Sequence, residues 1–550
     1  MAEEEKLLLK RAERHARLAS RPSVPTMDVE AGSTWLKWVP ASGMNNIQLL
    51  KFTLAIVCLL HAADGAMLPA VFKAVEEAVE RATPQTLGVV AMIEALCHSL
   101  AVLVWGVLAD RGSKLLLLTI STAVWGLITL ATATCNSMLS LGIVRAAAGI
   151  VSAALGPVAQ GMIVAVCEPE GRGLAFGYII GAGYMGHMLG LFLAGSVSHV
   201  PSVGGWRGPF CIFAFLTLLL AGLLSMMWME ARSGFLSQSR VWESLMVSKW
   251  NGMGFGAVPE FFSEAFSNLR FVLRRRSFLV LILQGAFAST GIKAMTYMSM
   301  WFQYQGFGDV SASTLVCSMP LGCIFGALAA GYISDELAKL YPDHGRISFG
   351  MVVMVLQLVV LVLMFIPGMN AAATDANFRR FLVLMFLYGA VSVMAYTGAI
   401  RPLFTEIVPT RLVGQVIAFG AAIDGAIASI GGNALVGYIT QSVFGYQSTR
   451  LTIAEMPEDL RVQNATALAQ AIACVSLITS LATVVAFVLL HCTFVYDKAA
   501  SIREDLLVVV AGEETSTILE GEYEDDASST KTKCGSDAGK GSTRTYGSTV

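Results

Sequence analysis

Long apolar segments alternate with short polar connections along most of this chain. Each segment is close to the roughly 20 apolar residues that a helix needs to cross about 30 Å of hydrocarbon. The pattern predicts an all-α membrane protein with twelve transmembrane helices. A longer polar insert separates two groups of six segments, which lie at about 48–72, 84–109, 114–133, 138–166, 172–196 and 206–229, then at 277–303, 311–334, 347–368, 380–404, 412–440 and 465–494.

A Gly-x-x-x-Asp motif ends the second segment and recurs at the equivalent place in the second group, as Gly106 to Asp110 and as Gly331 to Asp335. A glycine lets a neighbouring helix approach closely. An aspartate at a helix end can face the positive N-terminus of another helix. Two copies at equivalent places indicate an internal duplication. The sequence therefore predicts two pseudo-symmetric six-helix bundles.

The two aspartates also suggest a gate. We expect Asp110 and Asp335 to latch the cytoplasmic side by facing the starts of helices eleven and five. The neighbouring Arg111 and, near the inner end of helix ten, Arg401 and Glu406 are expected to belong to the same cytoplasmic gate. The alternative is that any loop between two spans contains such charges without a gating role.

Lysine and arginine residues set the expected orientation and domain limits. If the N-terminus is cytoplasmic, the inner connections carry about twice as many of them as the outer ones, which places both termini in the cytoplasm. The expected organisation is a tail (1–46), a six-helix bundle (47–229), a linker with an amphipathic surface helix (230–276), a second bundle (277–496) and a disordered tail (497–550).

Both predicted tails carry short motifs that bear on localisation. Glu3 and Glu4 with Leu7–Leu9 fit an acidic dileucine sorting signal, which would recruit sorting adaptors. The alternative is an ordinary helical run. The C-terminal Ser548–Val550 fits a PDZ ligand or a chance match. We expect a multi-pass protein of the plasma membrane or of an endolysosomal or vacuolar membrane, in contact with the lipid bilayer.

Composition excludes several other classes. The chain is 55% hydrophobic and 14% charged, whereas soluble domains carry nearer a quarter of charged residues. A net charge of −2 creates no positive potential that would attract nucleic acid. Ten scattered cysteines without a Cys-x-x-Cys pair predict neither a zinc site nor a disulfide framework. No Walker loop, nucleophile elbow or metal cluster occurs, so we expect no enzyme, no cofactor and no metal.

Two motifs carry a family resemblance over about residues 48–496. The stretch from Gly106 to Lys114 resembles the signature that the major facilitator superfamily has between helices two and three. Arg145 with Gly149 resembles its helix-four signature. The resemblance implies two six-helix halves that rock around a midplane site. It also implies a secondary transporter that works by alternating access.

Five shorter motifs resemble the spinster-type branch of that superfamily and its plant and algal relatives. They lie at 61–64, 172–177, 205–207, 301–307 and 406–411. The branch includes lysophospholipid and sphingosine-phosphate carriers, so the resemblance implies an amphiphilic anionic substrate. Ser152 departs from it, because these transporters usually have a glutamate seven residues after the helix-four arginine. The Gly-Pro of antiporter-type helix five is also absent, which favours a symporter or uniporter.

Ionisable residues within the spans are costly and usually functional. Asp64 in helix one and Arg145 in helix four lie at about the same depth, roughly 12 Å below the outer face at 1.5 Å per residue. They can meet if both face the central cavity. His61 lies one turn from Asp64 and could share its proton. The functional interpretation is a protonatable aspartate gated by arginine, and the alternative is a static ion pair.

Further charges in the spans are candidates for substrate binding or proton coupling. Lys293, in the middle of helix seven, suits an anionic headgroup. Glu94 and His98 share one face of helix two at i and i+4, and we expect them to form a mutually satisfied pair at the interface between the halves. Asp424 in helix eleven is a further candidate for proton coupling.

Two classes of function remain at this stage. The first is a secondary carrier of a small or amphiphilic solute, lysolipid-like or an organic anion, with proton coupling through Asp64 and His61. Sugars and other small metabolites are competing substrates. The second is a transporter-like receptor that signals without net flux. Net transport in reconstituted vesicles distinguishes the two.

Overall fold

The computed structural model describes residues 46–167, 172–233, 272–366, 372–409 and 412–533, with isolated residues at 245, 267 and 270. Side chains are described for all of these except 46–47, 172–174, 414–415 and 506–533. The predictions for the dileucine signal, nearly all of the linker helix and the C-terminal Ser548–Val550 lie outside the described residues.

Twelve helices of the described ranges are long and apolar enough to span a membrane. We number them α1 Asn46–Ala70, α2 Pro84–Arg111, α3 Lys114–Thr134, α4 Met138–Ser152 with Leu155–Val166, α5 Arg172–Ser196, α6 Arg207–Arg232, α7 Arg276–Ala294 with Met295–Tyr297 and Met298–Tyr304, α8 Asp309–Leu340, α9 Gly345–Phe365, α10 Asp375–Ala395 with Tyr396–Ile400 and Arg401–Glu406, α11 Val413–Ala428 with Ser429–Ala434 and Leu435–Ser442, and α12 Glu458–Lys533. The described ranges contain no strand, only an isolated bridge between Glu80 and Ser137. The predicted twelve-helix, all-α fold is confirmed.

Hydroxyl side chains in the polar connections start several of these helices. Thr83 accepts a hydrogen bond from the backbone N–H of Thr86 and forms a capping box at the start of α2. Ser137 does the same for α4. Ser113 caps α3 only two residues after α2 ends. Such caps satisfy N–H groups that the first helical turn leaves without partners.

Helix α12 extends past the predicted end of the second bundle. It runs from Glu458 to Lys533, whereas the sequence predicts a tail from residue 497. The stretch from 497 to 533 contains no proline, the residue that interrupts a helix most strongly. The predicted domain limits and the disordered tail stay predictions.

The two groups of six helices pack in the same way. In the first half α1 packs on α5, α2 on α4 and α3 on α6. In the second half α7 packs on α11 and α8 on α10, and Phe487 of α12 lies against Gly350 of α9. The halves meet along two helix pairs, α2 with α11 and α5 with α8. The two pairs are equivalent, because α2 corresponds to α8 and α5 to α11 in the duplicated fold.

The helices alternate in direction, so every connection lies on one of two faces. We call the face where α1 begins and α2 ends the Asp110 face. We call the face where α1 ends and α2 begins the Glu76 face. The short helix Phe72–Ala78 lies between α1 and α2 on the Glu76 face.

Glycines allow the tightest helix contacts. A Cβ at Gly190 of α5 would lie 2.1 Å from the carbonyl oxygen of Ala63 in α1, and one at Gly186 would lie 1.9 Å from that of Leu59. Gly177, on the same helix, has open space at its Cβ position. Close backbone approach through small residues is the usual basis of helix association in membranes.

We expect Gly190→Ala to destabilise the protein by about 1–3 kcal/mol, because the backbone of α1 must move away from the added methyl group. Gly177→Ala is the matched control and should be neutral. The measurement is the melting temperature of each purified variant in the same detergent. Equal melting temperatures for the two variants would contradict the packing seen here.

Candidate functional site

A cavity of about 700 Å³ lies between the two halves. Residues of α1, α5, α7, α8, α10 and α11 line it, and most of them are apolar. The ionisable residues in the lining are Tyr184, His187, Lys293, Tyr396, Arg401 and Asp424. The lining extends toward the Asp110 face as far as Arg401 and Phe404 in the last segment of α10.

Three helices of the second half are interrupted beside this cavity. Helix α7 has a 3₁₀ turn at Met295–Tyr297, α10 has a π-helical segment at Tyr396–Ile400, and α11 has one at Ser429–Ala434. Met295 and Tyr396 line the cavity. Such interruptions shift the register of a helix and are frequent at functional sites. The second half therefore supplies most of the irregular backbone around the cavity.

Lys293 of α7 presents its side chain to the cavity. Among the described residues, no carboxylate lies within ion-pairing distance of its ammonium group. The acid that acts on it electrostatically is Glu94 of the other half. A cation in an apolar cavity without a bonded carboxylate favours an anionic ligand.

Asp424 of α11 is the acid in the cavity wall. It is 9% exposed, and its Oδ1 atom has no hydrogen-bond partner among the described residues. A Cβ at Gly285 of α7 would lie 2.1 Å from Oδ2, so the carboxylate rests directly on the glycine backbone. A buried carboxyl without a cation beside it is a suitable proton carrier.

A second charged cluster lies within the first half. Arg145 of α4 is fully buried and binds Glu94 of α2 through two nitrogens, with Nε 2.9 Å from Oε2 and Nη2 bonded to Oε1. Its Nη1 lies 3.4 Å from Oδ2 of Asp64. Trp125 and Thr129 of α3 each donate to Asp64 at 3.2 Å. One guanidinium thus holds two carboxylates from different helices.

The sequence prediction was correct in pairing Asp64 with Arg145 and wrong about where they meet. The exposed fraction is 4% for Asp64 and zero for Arg145, and neither residue lines the cavity. They lie behind the cavity wall. Glu94, whose side chain is 22% exposed, is the most accessible member of the cluster.

The predicted pair of Glu94 and His98 is also wrong, because the two side chains bind different residues of α4. Glu94 binds Arg145, and Nδ1 of His98 lies 3.1 Å from Oγ of Ser152. Gly149 explains the difference, since a Cβ there would lie 2.2 Å from the carbonyl oxygen of Glu94. Helix α4 therefore approaches α2 closely enough for its side chains on either side of Gly149 to reach both residues.

His61 does not share a hydrogen bond with Asp64 among the contacts found in the described residues. Its ring packs edge-on against Trp125, with centroids 5.5 Å apart, and lies 6.4 Å from the ring of His98. Trp125 therefore contacts both the histidine and the carboxylate. A sequence spacing of one turn predicted proximity of His61 and Asp64 but not this shared contact.

The predicted gate residues lie on the Asp110 face. Asp110 is exposed, and the Cβ positions of Gly106 and Gly331 have open space. Asp335 and Glu406 bind Arg346 at the start of α9, at 3.0 and 3.2 Å. Arg346 thus links the ends of α8 and α10, a role that the sequence prediction missed.

The remaining gate residues also lie at helix ends. Arg401 lies over the ring of Tyr396, 4.9 Å from its centroid. Arg111 is the last residue of α2. Among the described residues Asp335 binds Arg346 of its own half, and the starts of α5 and α11, where the predicted latch would bind, lie partly outside them. The latch stays a prediction for the conformation that opens on the Glu76 face.

The Glu76 face is closed by contacts between the halves. The hydroxyl of Tyr297 in α7 lies 3.0 Å from the carbonyl oxygen of Pro84 in α2, across the halves, and 2.7 Å from that of Asn433 in α11, and it shares its one proton between them. Tyr446 donates to Glu76 at 2.9 Å. The sequence prediction missed Glu76 and Tyr446 because each lies in or near a polar connection, where polar residues are expected in any membrane protein.

Comparisons with known proteins agree on the fold. A family model described as Major Facilitator Superfamily matches residues 54–432. The solved structures of a bacterial homologue of the human lysosomal transporter Spinster are similar, each at 17% identity over 83% of this chain and 99% of that one. The TM-score is 0.67 for its inward-facing unoccupied conformation and 0.63 for the inward-facing occupied one.

A third similar structure is a mutant of the nucleoside transporter NupG, with a TM-score of 0.61 at 12% identity over 80% of this chain and 100% of that one. No curated protein sequence matches the chain. At these identities the structural likeness establishes the fold and leaves the substrate open.

We expect Arg145→Ala to destabilise the protein by about 3–5 kcal/mol, because it leaves two buried carboxylates without their cation. Arg145→Lys should recover part of the loss, since it keeps the charge but not the forked geometry. Melting temperatures measure both effects. The control is Arg379→Ala, at an exposed arginine on the Glu76 face. If Arg145→Ala and Arg379→Ala have the same melting temperature, the cluster does not stabilise the first half.

Proposed function

Because this chain belongs to the Major Facilitator Superfamily of membrane transporters, we propose that it is a secondary active carrier. It moves a small or amphiphilic anion across the membrane by alternating access. Its two six-helix halves close around the central cavity from one face or the other. The conformation described here has the Glu76 face closed.

The observation that carries the proposal is Lys293 in the wall of a cavity between the halves. A cavity of about 700 Å³ is within the range that holds a small organic ligand. Lys293 offers a positive charge that no carboxylate of the described residues neutralises by direct contact. The apolar lining around it suits the hydrocarbon part of an amphiphile. An anionic group at Lys293 with an apolar body toward α5 and α8 fits this surface best.

The spinster-like motifs and the similar bacterial Spinster homologue support a substrate of the lysolipid kind. The structural likeness to a nucleoside transporter makes nucleosides an alternative substrate class. Organic anions without a long chain fit Lys293 equally well. Sugars lack the charge that this lysine recognises and are therefore the weakest candidates.

Proton coupling is the second part of the proposal. Asp64 and Glu94 share Arg145, so protonation of either carboxylate would weaken its hold on the arginine and change how α1 and α2 pack against α4. Glu94 is the more accessible of the two. Asp424 is a further coupling candidate in the second half.

We propose that the Asp110 face is cytoplasmic, because of the lysine and arginine excess in its connections. The protein is an integral multi-pass membrane protein, and the dileucine motif supports an endolysosomal or vacuolar membrane, with the plasma membrane as the alternative. A receptor-like role without net flux is the competing function, supported by the terminal motifs of the sequence alone.

Uptake into vesicles reconstituted with the full chain tests the function. Lysolipids, organic anions, nucleosides and sugars are compared with and without an imposed pH gradient. We expect saturable uptake of an anionic solute, driven by the gradient. Asp64→Asn or Glu94→Gln should retain uptake but lose its dependence on the gradient, because each mimics a protonated carboxyl. Binding without flux for every solute would favour the receptor. A dependence on the gradient that survives both substitutions would shift the coupling site to Asp424.

Lys293→Met should raise KM for the anionic solute about 10- to 100-fold, as expected for loss of one charge-assisted contact. Lys293→Arg should restore most of the affinity. Lys339→Met is the matched control, since Lys339 pairs with Glu336 on the Asp110 face outside the cavity. Initial rates of uptake measure KM. An unchanged KM in Lys293→Met would remove Lys293 from the site.

A further inference from the structure

The closure of the Glu76 face contains buried charges from the first half. Lys73, Glu76 and Glu77 lie on the short helix Phe72–Ala78. The side chains of Lys73 and Glu76 are fully buried, with Nζ 3.1 Å from Oε2 of Glu76 and 3.5 Å from Oε1 of Glu77. Lys73 also donates to the carbonyl of Thr449 in the second half, at 3.4 Å.

The second half completes the environment of Glu76 with hydroxyl groups. The hydroxyl of Tyr446 lies 2.9 Å from both carboxylate oxygens and shares its one proton between them. Ser448 donates to Oε1 at 2.8 Å and Tyr304 to Oε2 at 3.2 Å. The hydroxyls of Tyr304 and Tyr446 are themselves 2.6 Å apart. A carboxylate of one half is thus bound by three hydroxyls of the other, and these contacts must break when the halves separate on this face.

His199 forms the second connection between the halves. It lies in the connection between α5 and α6, with Nε2 3.1 Å from Oε2 of Glu77. Its Nδ1 lies 2.7 Å from Oδ2 of Asp309, the first residue of α8. Both ring nitrogens thus face carboxylates, one from each half. Asp309 is held in place by Gln303, whose Nε2 donates to Oδ1 at 2.9 Å.

The charges around His199 make it favourable to bind a proton. Its hydrogen bonds to Asp309 and to Glu77 raise its pKa from 6.5 to about 9, against the opposing effect of burial. Lys73 is the other cation of the cluster. It binds Oε1 of Glu77, whereas His199 binds Oε2 of the same carboxylate. With a neutral ring, Glu77 and Asp309 would face each other across the halves with one bridging donor instead of two.

We propose that the Glu76 face is closed by a proton-binding gate made of Glu77, His199 and Asp309. The bound proton lets the ring donate to both carboxylates at once, which joins the first half to α8 of the second. Loss of that proton weakens the closure and favours opening on the Glu76 face. Lys73 and Glu76 with their hydroxyl partners form the part of the closure that depends less on this proton.

The direction of the pH dependence follows from linkage. When the halves separate, His199 loses Asp309 and its pKa falls back toward the ordinary 6.5. Protonation therefore favours the closed gate. This contribution is fully present below pH 6.5 and is lost as the pH rises through about 9. The side chain is 30% exposed, so the proton exchanges with the solution on the Glu76 face.

The gate rests on alternating access from the proposed function but not on the substrate or on proton-driven transport. A distance measurement between the halves needs neither a ligand nor flux. A carrier that transports nothing in the solute screen can still show the gate. A carrier with full transport can lack it. The two proposals therefore fail separately.

The test uses the full chain in phosphatidylcholine nanodiscs, with spin labels on an unnatural amino acid so that the ten native cysteines stay in place. One label replaces Ser202, between α5 and α6, and the other replaces Ala376 at the start of α10. Both positions are exposed on the Glu76 face. Pulsed electron paramagnetic resonance gives the distribution of distances between them. Glu77 stays beside His199 when the halves separate, so only part of the pKa shift is lost. A loss of about one pKa unit raises the ratio of long to short distances about tenfold between pH 6.5 and pH 9.5.

Two substitutions isolate the histidine. His199→Gln should show the long-distance population already at pH 6.5, with no further change at pH 9.5. His199→Lys keeps a positive charge across this range and should retain the short distance at both pH values. The matched control is His491→Gln, because His491 bonds to His344 on the Asp110 face, away from the gate. A distribution that is unchanged by pH in the parent chain, or that responds equally in His199→Gln, overturns the proposal.

Discussion

The absence of water in a hydrocarbon core is the constraint on which the other features of this protein depend. A charged or polar group there must find a partner inside the protein or face an aqueous cavity. Arg145 shows the first solution, with two carboxylates around one fully buried guanidinium. Lys293 shows the second, because no carboxylate of the described residues is bonded to it and it lies in the cavity wall. The difference separates a cation that organises the fold from one that is available to a ligand.

The same constraint distinguishes the two halves of a duplicated fold. The first half satisfies Asp64, Glu94 and Arg145 of its spans internally, through their shared cluster and hydrogen bonds from α3. The second half has interrupted helices beside the cavity, and Oδ1 of Asp424 has no hydrogen-bond partner within the described ranges. Irregular backbone is tolerated within the membrane only where protein or a water-filled cavity surrounds it. The halves therefore share helix pairing but differ in how they accommodate the charges of their spans.

Periodic features of the chain were predictable from sequence, and contacts between distant segments were not. The twelve spans follow from the length of apolar runs, and the meeting of Asp64 with Arg145 follows from equal depth along two helices. The depth of a residue does not give its rotation about the helix axis, so the position of this pair behind the cavity wall was missed. The partners of Glu94 and His98 depended on the close approach of α4 at Gly149, which no spacing within α2 encodes. The closure around Glu76 joins connections hundreds of residues apart, and each segment alone resembles an ordinary polar loop.

The position of the second carboxylate near Arg145 has a consequence for how charge and conformation are linked. In the resemblance to spinster-type transporters a glutamate is expected on α4, where this chain has Ser152. The structure supplies the carboxylate from α2 instead, through Glu94. Helix α4 packs mainly on α2 and α3 of its own half, whereas α2 also packs along α11 of the other half. Under the proposed coupling, a proton on Glu94 would therefore act on a helix that forms the interface between the halves. A proton on a helix-four glutamate would act first within one half. With the carboxylate on α2, the proposed protonation would act directly at the surface along which the two halves must move.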